Sequence, residues 1–376
     1  MSKFNILYVY KLRIFNIKIP ISVPTPNRQF DERDTMFARL ARMPNSAAYK
    51  HYYSNNPELK EKDDHIRSLP SLLSPKGKFY NADYSEQARQ LFDSIENISI
   101  DNKIVNKYVK LFKNAKSNTK VLKQIATELG AVAVGCTNLE DKFVYSYKGR
   151  FDNNYGKTIK LSHPNVFVFL VEMDFEQMSF APKSNVIAES ANQYYRAAVI
   201  SKTLEAIIHK LGYDAKAHYD ANYDLILPPF AVKAGLGDLG RNNILIADKF
   251  GSRVRIGAVT TNLTLDYNKP ISIGVERFCD VCKKCAASCP TKALSINGKS
   301  LVRGIEKWTT NVHNCYSIWR YYGTDCGICM AVCPFSHRNN WFHYLIRKVV
   351  KFLPVFNKIL LFFDDLIYGK KWRIRD

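Results

Sequence analysis

A chain of 376 residues, 46% hydrophobic and 24% charged, is long enough for one extended core or two domains and too apolar to be disordered. Its formal charge of +21 favours anionic surfaces, yet it carries no zinc-finger spacing, aromatic RNA-binding signature or basic helix with heptads, so charge assigns no nucleic-acid role. Eight of the nine cysteines fall between Cys279 and Cys333, which excludes the dispersed pattern of a disulfide-stapled secreted domain and implies a reducing or anoxic compartment.

The chain opens on Ile, Leu and Tyr mixed with Lys3, Lys11, Arg13 and Lys18. It shows no apolar stretch ending in a small-residue cleavage site and no arginine pair, which predicts a protein that is not exported. Residues 21 to 95 are poor in apolar runs and rich in turn formers, and predict an irregular, partly helical wrap over a core. Val121 to Leu129 reads as a helix ending at Gly130 and leading into a strand, Ala131 to Val134. Val166 to Val171 reads as a buried strand. Apolar residues then recur at helical spacing from Glu189 to Lys210, with Gly212 as the C-cap. Strands at Ala215 to His218 and Arg253 to Thr260, with the Leu225 to Pro229 segment, surround a glycine-rich connection. Helix and strand alternate over roughly 120 to 265, which predicts an α/β or α+β core. The expected division is 1–120, a wrapping segment; 121–269, the core; 270–340, a cysteine module; and 341–376, a tail.

In the glycine-rich connection Gly235, Gly237 and Gly240 stand at dinucleotide-loop spacing. The segment lacks a clear preceding strand and a placed acidic residue, so nicotinamide is a poor fit. Glycines here let backbone approach a planar or phosphate-bearing cofactor, or make a tight turn.

The cysteines form Cys279-x2-Cys282-x2-Cys285-x3-Cys289-Pro290, an isolated Cys315, and Cys326-x2-Cys329-x3-Cys333-Pro334. In such runs the triplet binds one cubane and the cysteine before Pro binds the other. One [4Fe-4S] cluster is thus expected on Cys279, Cys282, Cys285 and Cys333, and a second on Cys289, Cys315, Cys326 and Cys329. Cys315 replaces the missing third member of the second triplet. Zinc in two four-sulfur sites is the weaker reading, because Cys-Pro after a triplet marks iron–sulfur binding. Eight thiolates and two 2+ cores would bring the charge of +21 to about +17.

The tail from Trp341 to Ile367 interleaves large apolar residues with His343, Arg347, Lys348, Lys351 and Lys358. Its apolar runs stop short of the ~20 residues that span a bilayer. It predicts a basic amphipathic helix at an anionic membrane surface, broken at Pro354, or else a helical pair packed on protein.

Five segments resemble the corrinoid-dependent reductive dehalogenases: FDERDTMFAR (Phe30 to Arg39), YYSNNPELKEKDDHIRSLP (Tyr52 to Pro70), AGLGDLGRNNILIADKFGSRVRIGAVTTNL (Ala234 to Leu263), FCDVCKKCAASCPTKAL (Phe278 to Leu294) and YGTDCGICMAVCPFSHRNNW (Tyr322 to Trp341). A weaker resemblance, in the glycine segment and the cysteines, reaches epoxyqueuosine reductase. The resemblance implies an α+β fold with an α/β-type, nitroreductase-like core that binds a base-off, cobalamin-type corrinoid, and a ferredoxin-like module that feeds it electrons. It places the proton donor at Tyr194, with Tyr195 as competitor, and the accompanying polar groups at Asn222 and Arg253, with Arg255 as the two-residue alternative. Gly235, Gly237, Leu239, Gly240, Arg241, Tyr195 and Arg255 are the expected corrinoid contacts. An unperturbed tyrosine, with pKa near ~10, is protonated at neutral pH and can donate, and a nearby basic residue would lower that value. No Asp-x-His-x-x-Gly pattern offers a lower cobalt ligand; His163 could touch substrate or sit in the core.

The expected function is reduction of an organohalide or related bond, with a small-molecule substrate, a low-potential donor such as ferredoxin or flavodoxin, and a homodimer among the candidate assemblies. Because respiratory members of this type carry a twin-arginine signal, its absence here points to a cytoplasmic enzyme, peripheral on the inner face of the membrane. The alternatives are epoxyqueuosine-type deoxygenation of a tRNA base and a non-catalytic electron-transfer protein.

Overall fold

The computed structural model describes residues 19–20 and 22–375; Lys3, Lys11, Arg13 and Lys18, on which the reading of the first residues rests, lie outside them. The segment expected to be irregular contains four helices, Met36–Ala41, Ala47–Asn55, Pro57–Ser68 and Ala82–Ser94. Each has a local reason to start: Thr35, Ser46 and Asn81 accept from the third backbone N–H beyond them, and Pro57 takes the first helical position. Periodicity was masked because the buried residues are tyrosines. Tyr49, Tyr52 and Tyr53 are buried, and their hydroxyls donate to Asp64, Asp34 and Asp63.

The core is a four-stranded sheet: β1 (Ala133–Asn138), β2 (Asn165–Glu172), β3 (Ala215–His218) and β4 (Val254–Thr261), in the order β1-β2-β4-β3. Every pairing is antiparallel, with Gly135 opposite Val168 and Phe169 opposite Gly257, so the core is α+β and the α/β alternative is set aside. The β2 run is apolar on both sides because helices cover both faces. Phe167, Phe169 and Val171 face α1 (Ala115–Glu128) and the C-terminal part of α2 (Asn185–Lys210). Val166, Val168 and Leu170 face Phe143, Leu225 and Phe230. Strand β1 starts later than expected, since Ala131 N–H still bonds the helix at Ala126 O, and its pairing with β2 extends through Asn138. Alternation along β2 alone thus dictates two cores, one on each face of the sheet.

Beyond the sheet, Val275–Cys282 and Lys284–Ser288 carry the first cysteines, and α3 (Val312–Tyr322) carries Cys315. The N-terminal helices clasp α3. Arg39 pairs with Asp63 and contacts His313, and Arg320 donates to the carbonyls of Arg67, Leu69 and Pro70. The tail is a helical pair, α4 (Trp341–Phe352) and α5 (Asn357–Tyr368), with a one-turn break at Pro354. Of the five basic residues expected on an amphipathic face, Lys358 is exposed and the other four turn inward. His343, Arg347, Lys348 and Lys351 are buried, while Trp341, Val355 and Leu366 are 77%, 79% and 73% exposed. The reason is acidic and polar partners in the body. Lys348 reaches Asp248 at 3.3 Å, and Asp364 and Asp365 of α5 hold the buried Lys284. No helix among the described residues is long and apolar enough to cross a membrane.

Candidate functional site: two thiol rings and a tyrosine chamber

The eight clustered cysteines separate into two groups. Burial pushes the thiols of Cys279, Cys282 and Cys285 up to about 12, and neighbouring thiols add to it: Cys285 acts on Cys279, Cys279 on Cys282, and Cys282 on Cys285. Cys333, driven up by burial, feels all three. In the second group Cys315 is raised to about 11 by burial and then by Cys289. Cys326 feels Cys315 and Cys289, and Cys329 feels Cys326, Cys315 and Cys289. Cys285 also reaches Cys329, so the groups adjoin. The first four thiols line one small cavity. Among the described residues no three metal-ligating side chains converge as they would on a single ion. Thiols set around a space, and too strongly buried to ionise alone, match a multi-iron core whose charge stabilises the thiolates. Cys136 is apart from both groups, buried in β1 beside Thr119.

The glycine-rich segment and Arg253 join this module to the sheet. Gly235, at φ 72°, sits where a Cβ would lie 2.6 Å from Lys269 O, and at Gly237 a Cβ would lie 2.1 Å from Ile246 O. What their bare backbone admits is therefore the protein itself, in a tight turn. Leu239 is exposed, and Gly240 packs on Ile246. Arg241, expected at the corrinoid, donates to the carbonyls of Cys279, Ser295 and Asn297 at 3.2, 2.9 and 2.8 Å. Arg253, expected at the tyrosine, is 1% exposed and donates to Ser336 O at 2.8 Å and Met173 O at 2.7 Å, with Glu172 at 3.1 Å. Both guanidiniums are thus consumed in fastening loops, which removes Arg253 from the position beside Tyr194.

Arg255 occupies that position. Its guanidinium lies 4.8 Å from the Tyr194 ring centroid. One nitrogen donates to Ser190 Oγ at 2.6 Å, Ser190 donates to Asp325 Oδ2 at 2.6 Å, and the Arg255–Asp325 ion pair closes the triangle at 3.4 Å. Ser190 and Tyr194 share a face of α2 because they are four residues apart. Asp325 directly precedes Cys326, so the triangle ties the tyrosine to the second thiol ring. Tyr194 is pushed up to about 12, chiefly by burial and further by Asp220 and Asp325, against the downward pull of Arg255 and Arg150. The expected lowering is therefore outweighed: low polarity around the ring favours the neutral phenol. Burial likewise holds the Asp325 carboxyl above the usual carboxylate range, against Arg255 and Ser190.

Tyr223, Tyr316 and Tyr194 lie close enough to Arg150 to feel its charge, and all four side chains keep some accessible surface. Arg150 pairs with Asp220 at 3.5 Å, and Arg255 Nε is buried without a partner. Asn222 stands in the turn after β3, with its N–H on Tyr219 O at 3.0 Å. Tyr195 points elsewhere, to a cleft lined by Asp93 and Asn97. His163 is a core residue, bridging Thr260 at 2.9 Å and Asp214 at 3.0 Å. Sequence reasoning missed Ser190, Asp325, Arg150 and Asp220. The first two had a readable signal, one turn before Tyr194 and next to Cys326, whereas Arg150 and Asp220 meet only through the fold.

The class that the thiol rings point to is the dicluster iron–sulfur module: the family described as 4Fe-4S dicluster domain matches residues 278–337, which carry all eight clustered cysteines. The particular likeness is to reductive dehalogenases. The tetrachloroethene reductive dehalogenase of Desulfitobacterium hafniense is 30% identical over 301 residues, 68% of this chain and 54% of that protein. That of Sulfurospirillum multivorans is 34% identical over 220 residues, 56% of this chain and 44% of that protein. The fold matches the catabolic reductive dehalogenase NpRdhA with a TM-score of 0.73 at 21% identity, over 94% of this chain and 49% of that one. The epoxyqueuosine reductase of Lactococcus garvieae is 29% identical over 157 residues, 38% of this chain and 41% of that protein. The chain spans about half the length of the curated dehalogenases cited.

Proposed function

We propose that the protein is a corrinoid-dependent reductase supplied by two [4Fe-4S] clusters, reducing a small organohalide. The observation that carries this reading is the Asp325–Ser190–Arg255 triangle, which ties a proton donor, Tyr194, to the loop of the second thiol ring. Cys279, Cys282, Cys285 and Cys333 would hold one cluster, and Cys289, Cys315, Cys326 and Cys329 the other. The accessible surface around Tyr194, with an unpartnered Arg255 Nε, suits a large polar-edged cofactor. Bound there, a corrinoid would supply the low-potential cobalt at which a carbon–halogen bond is reduced.

The chain's own residues would do the rest. Tyr194, neutral at physiological pH, donates its hydroxyl proton to the reduced carbon. Arg255 stabilises the phenolate left behind and can hold the departing anion, while Ser190 and Asp325 fix its orientation. Asn222 remains an auxiliary candidate, whereas Tyr195, in the cleft with Asp93 and Asn97, is set aside as the proton donor. His163 and His218 both bond Thr260 within the sheet, which favours a base-off corrinoid without a protein imidazole on cobalt. We assign residues 1–120 as wrap, 121–269 as core, 270–340 as cluster module and 341–376 as tail. A ferredoxin- or flavodoxin-class donor and a peripheral membrane position complete the reading.

Dehalogenase similarity covers more of the chain than similarity to epoxyqueuosine reductase, which favours an organohalide over a tRNA base. A tyrosine held beside Arg255, Ser190 and Asp325 favours an enzyme over a passive electron carrier. The deciding experiment is anaerobic reconstitution with iron, sulfide and cobalamin, followed by mass spectrometry of the bound corrinoid and a halide-release assay with reduced methyl viologen. Stoichiometric corrinoid and released halide are expected. Failure to bind added cobalamin would reject the mechanism.

A further inference from the structure

Between α4 and α5 lies a pocket of about 300 Å³, walled by Phe335, Ile346, Val350, Leu360, Phe363 and Ile367. This is the lower end of the range for small-ligand sites. It opens on the hairpin whose outward residues include Val355, Phe362 and Leu366, a contiguous apolar exposure that a folded protein rarely leaves bare. One cation shares its wall. Arg347 is 4% exposed; its Nη2 donates to Asn339 Oδ1 at 3.0 Å, but its Nε and Nη1 are buried with no hydrogen-bond partner.

The neighbouring acids are already engaged. Asp364 is held by Lys284 and His337, and Asp248, the acid nearest Arg347 in effect, lies 3.3 Å from Lys348. A buried guanidinium with two unanswered donors is costly unless an acceptor arrives. Lys358, Lys370, Lys371 and Arg373 are exposed on α5 and just beyond it, extending positive charge around the apolar face. An apolar cavity, a buried unanswered cation and an outer cationic rim together select one chemistry, a hydrocarbon chain ending in an anionic head.

We propose that the α4–α5 pocket binds an anionic amphiphile, its acyl chain between the helices and its acidic group at Arg347. The source is either an anionic phospholipid in a bilayer or a free fatty acid. The site is separate from the tyrosine chamber, and its failure would leave the reductase reading untouched.

The test uses the full reconstituted chain and cis-parinaric acid as fluorescent probe, displaced by oleate. Oleate should displace the probe one-to-one. R347Q should weaken oleate about tenfold, the loss of one charge-assisted contact, and leave oleyl alcohol within about twofold. L360W, which fills the pocket, should abolish both. Iron content and circular dichroism should match the parent protein in each variant. Sedimentation with phosphatidylcholine vesicles, with and without phosphatidylglycerol, then separates the sources. Retention only by the anionic vesicles assigns a membrane lipid, and displacement by oleate without retention assigns a free fatty acid. Failure of oleate to displace the probe, or unchanged affinity in both variants, would overturn the proposal. So would a dimer in analytical ultracentrifugation that L360W dissociates, because a second copy would then be the occupant.

Discussion

Arg253 and Arg255 stand two positions apart and carry their charge to different places. The first fastens Ser336 to the end of β2, and the second lies over Tyr194. Substitution should therefore separate them. R255Q should fold, keep its iron and lose turnover, whereas R253Q leaves buried carbonyls and Glu172 without their donor and should lower stability by about 3 kcal/mol; urea melts against halide release distinguish the two. Y194F should retain clusters and corrinoid yet lose about 10²- to 10⁴-fold in turnover, the scale of a general acid. Turnover within a few-fold of the parent would assign the proton to another donor. From sequence, Tyr194 was legible only through resemblance, and the choice between the two arginines was not legible, because both positions suit a buried strand end. What decides it is a tertiary partner, Ser336 for one and Ser190 for the other.

At the scale of elements, the cysteine spacing dictated most of what the thiol loops do, because a triplet with Cys-Pro constrains its own backbone. Cys315 sits on α3, fixed from a distance by Arg39, Asp63 and Arg320, which no local pattern announces. Iron analysis checks the grouping: C315S should lose about half the iron, since one cluster loses a ligand, and C136A should lose none. The tail helices were legible as helices but not in orientation. Amphipathic periodicity shows that two faces differ, and the partners Asp248, Lys284 and Ser288, on other elements, determine which face turns inward. The N-terminal segment was legible as partly helical, but its helices were not placed; in Ala47–Asn55 hydrogen-bonded tyrosines bury as aliphatics do but score as polar.

For the whole molecule, buried titratable groups define a stability window. His218 is held down to about 3 by burial, between Thr260 and the Asp224 N–H. An unfolded histidine takes a proton near ~6.5 and the folded one does not, so stability should fall as pH drops from about 6.5 toward 3, by on the order of 4 kcal/mol. Asp224, held below its usual range by Lys148 and Lys216 against burial, adds to the same acid loss. On the alkaline side Tyr53 and Tyr194 are pushed up to about 12, so the unfolded chain releases protons first and stability falls between about pH 10 and 12. Urea midpoints across pH should form a plateau with both shoulders, and tyrosinate absorbance of the deepest rings should rise only with unfolding. A flat profile from pH 7 to 4 would contradict the account of His218.

Phe278, Pro334 and Phe335 form a shared partition, with the first thiol cavity on one side and the hairpin pocket on the other. Thiols of both rings keep accessible surface, Cys282 and Cys285 in the first and Cys289, Cys315 and Cys329 in the second, but the hairpin pocket borders only the first. Diffusible oxidants should meet the two clusters unequally. On exposure to air, bleaching should be biphasic, and removing the hairpin, residues 341–376, should quicken the slow phase alone. The tail would then serve as weatherproofing for the cluster farther from the tyrosine chamber.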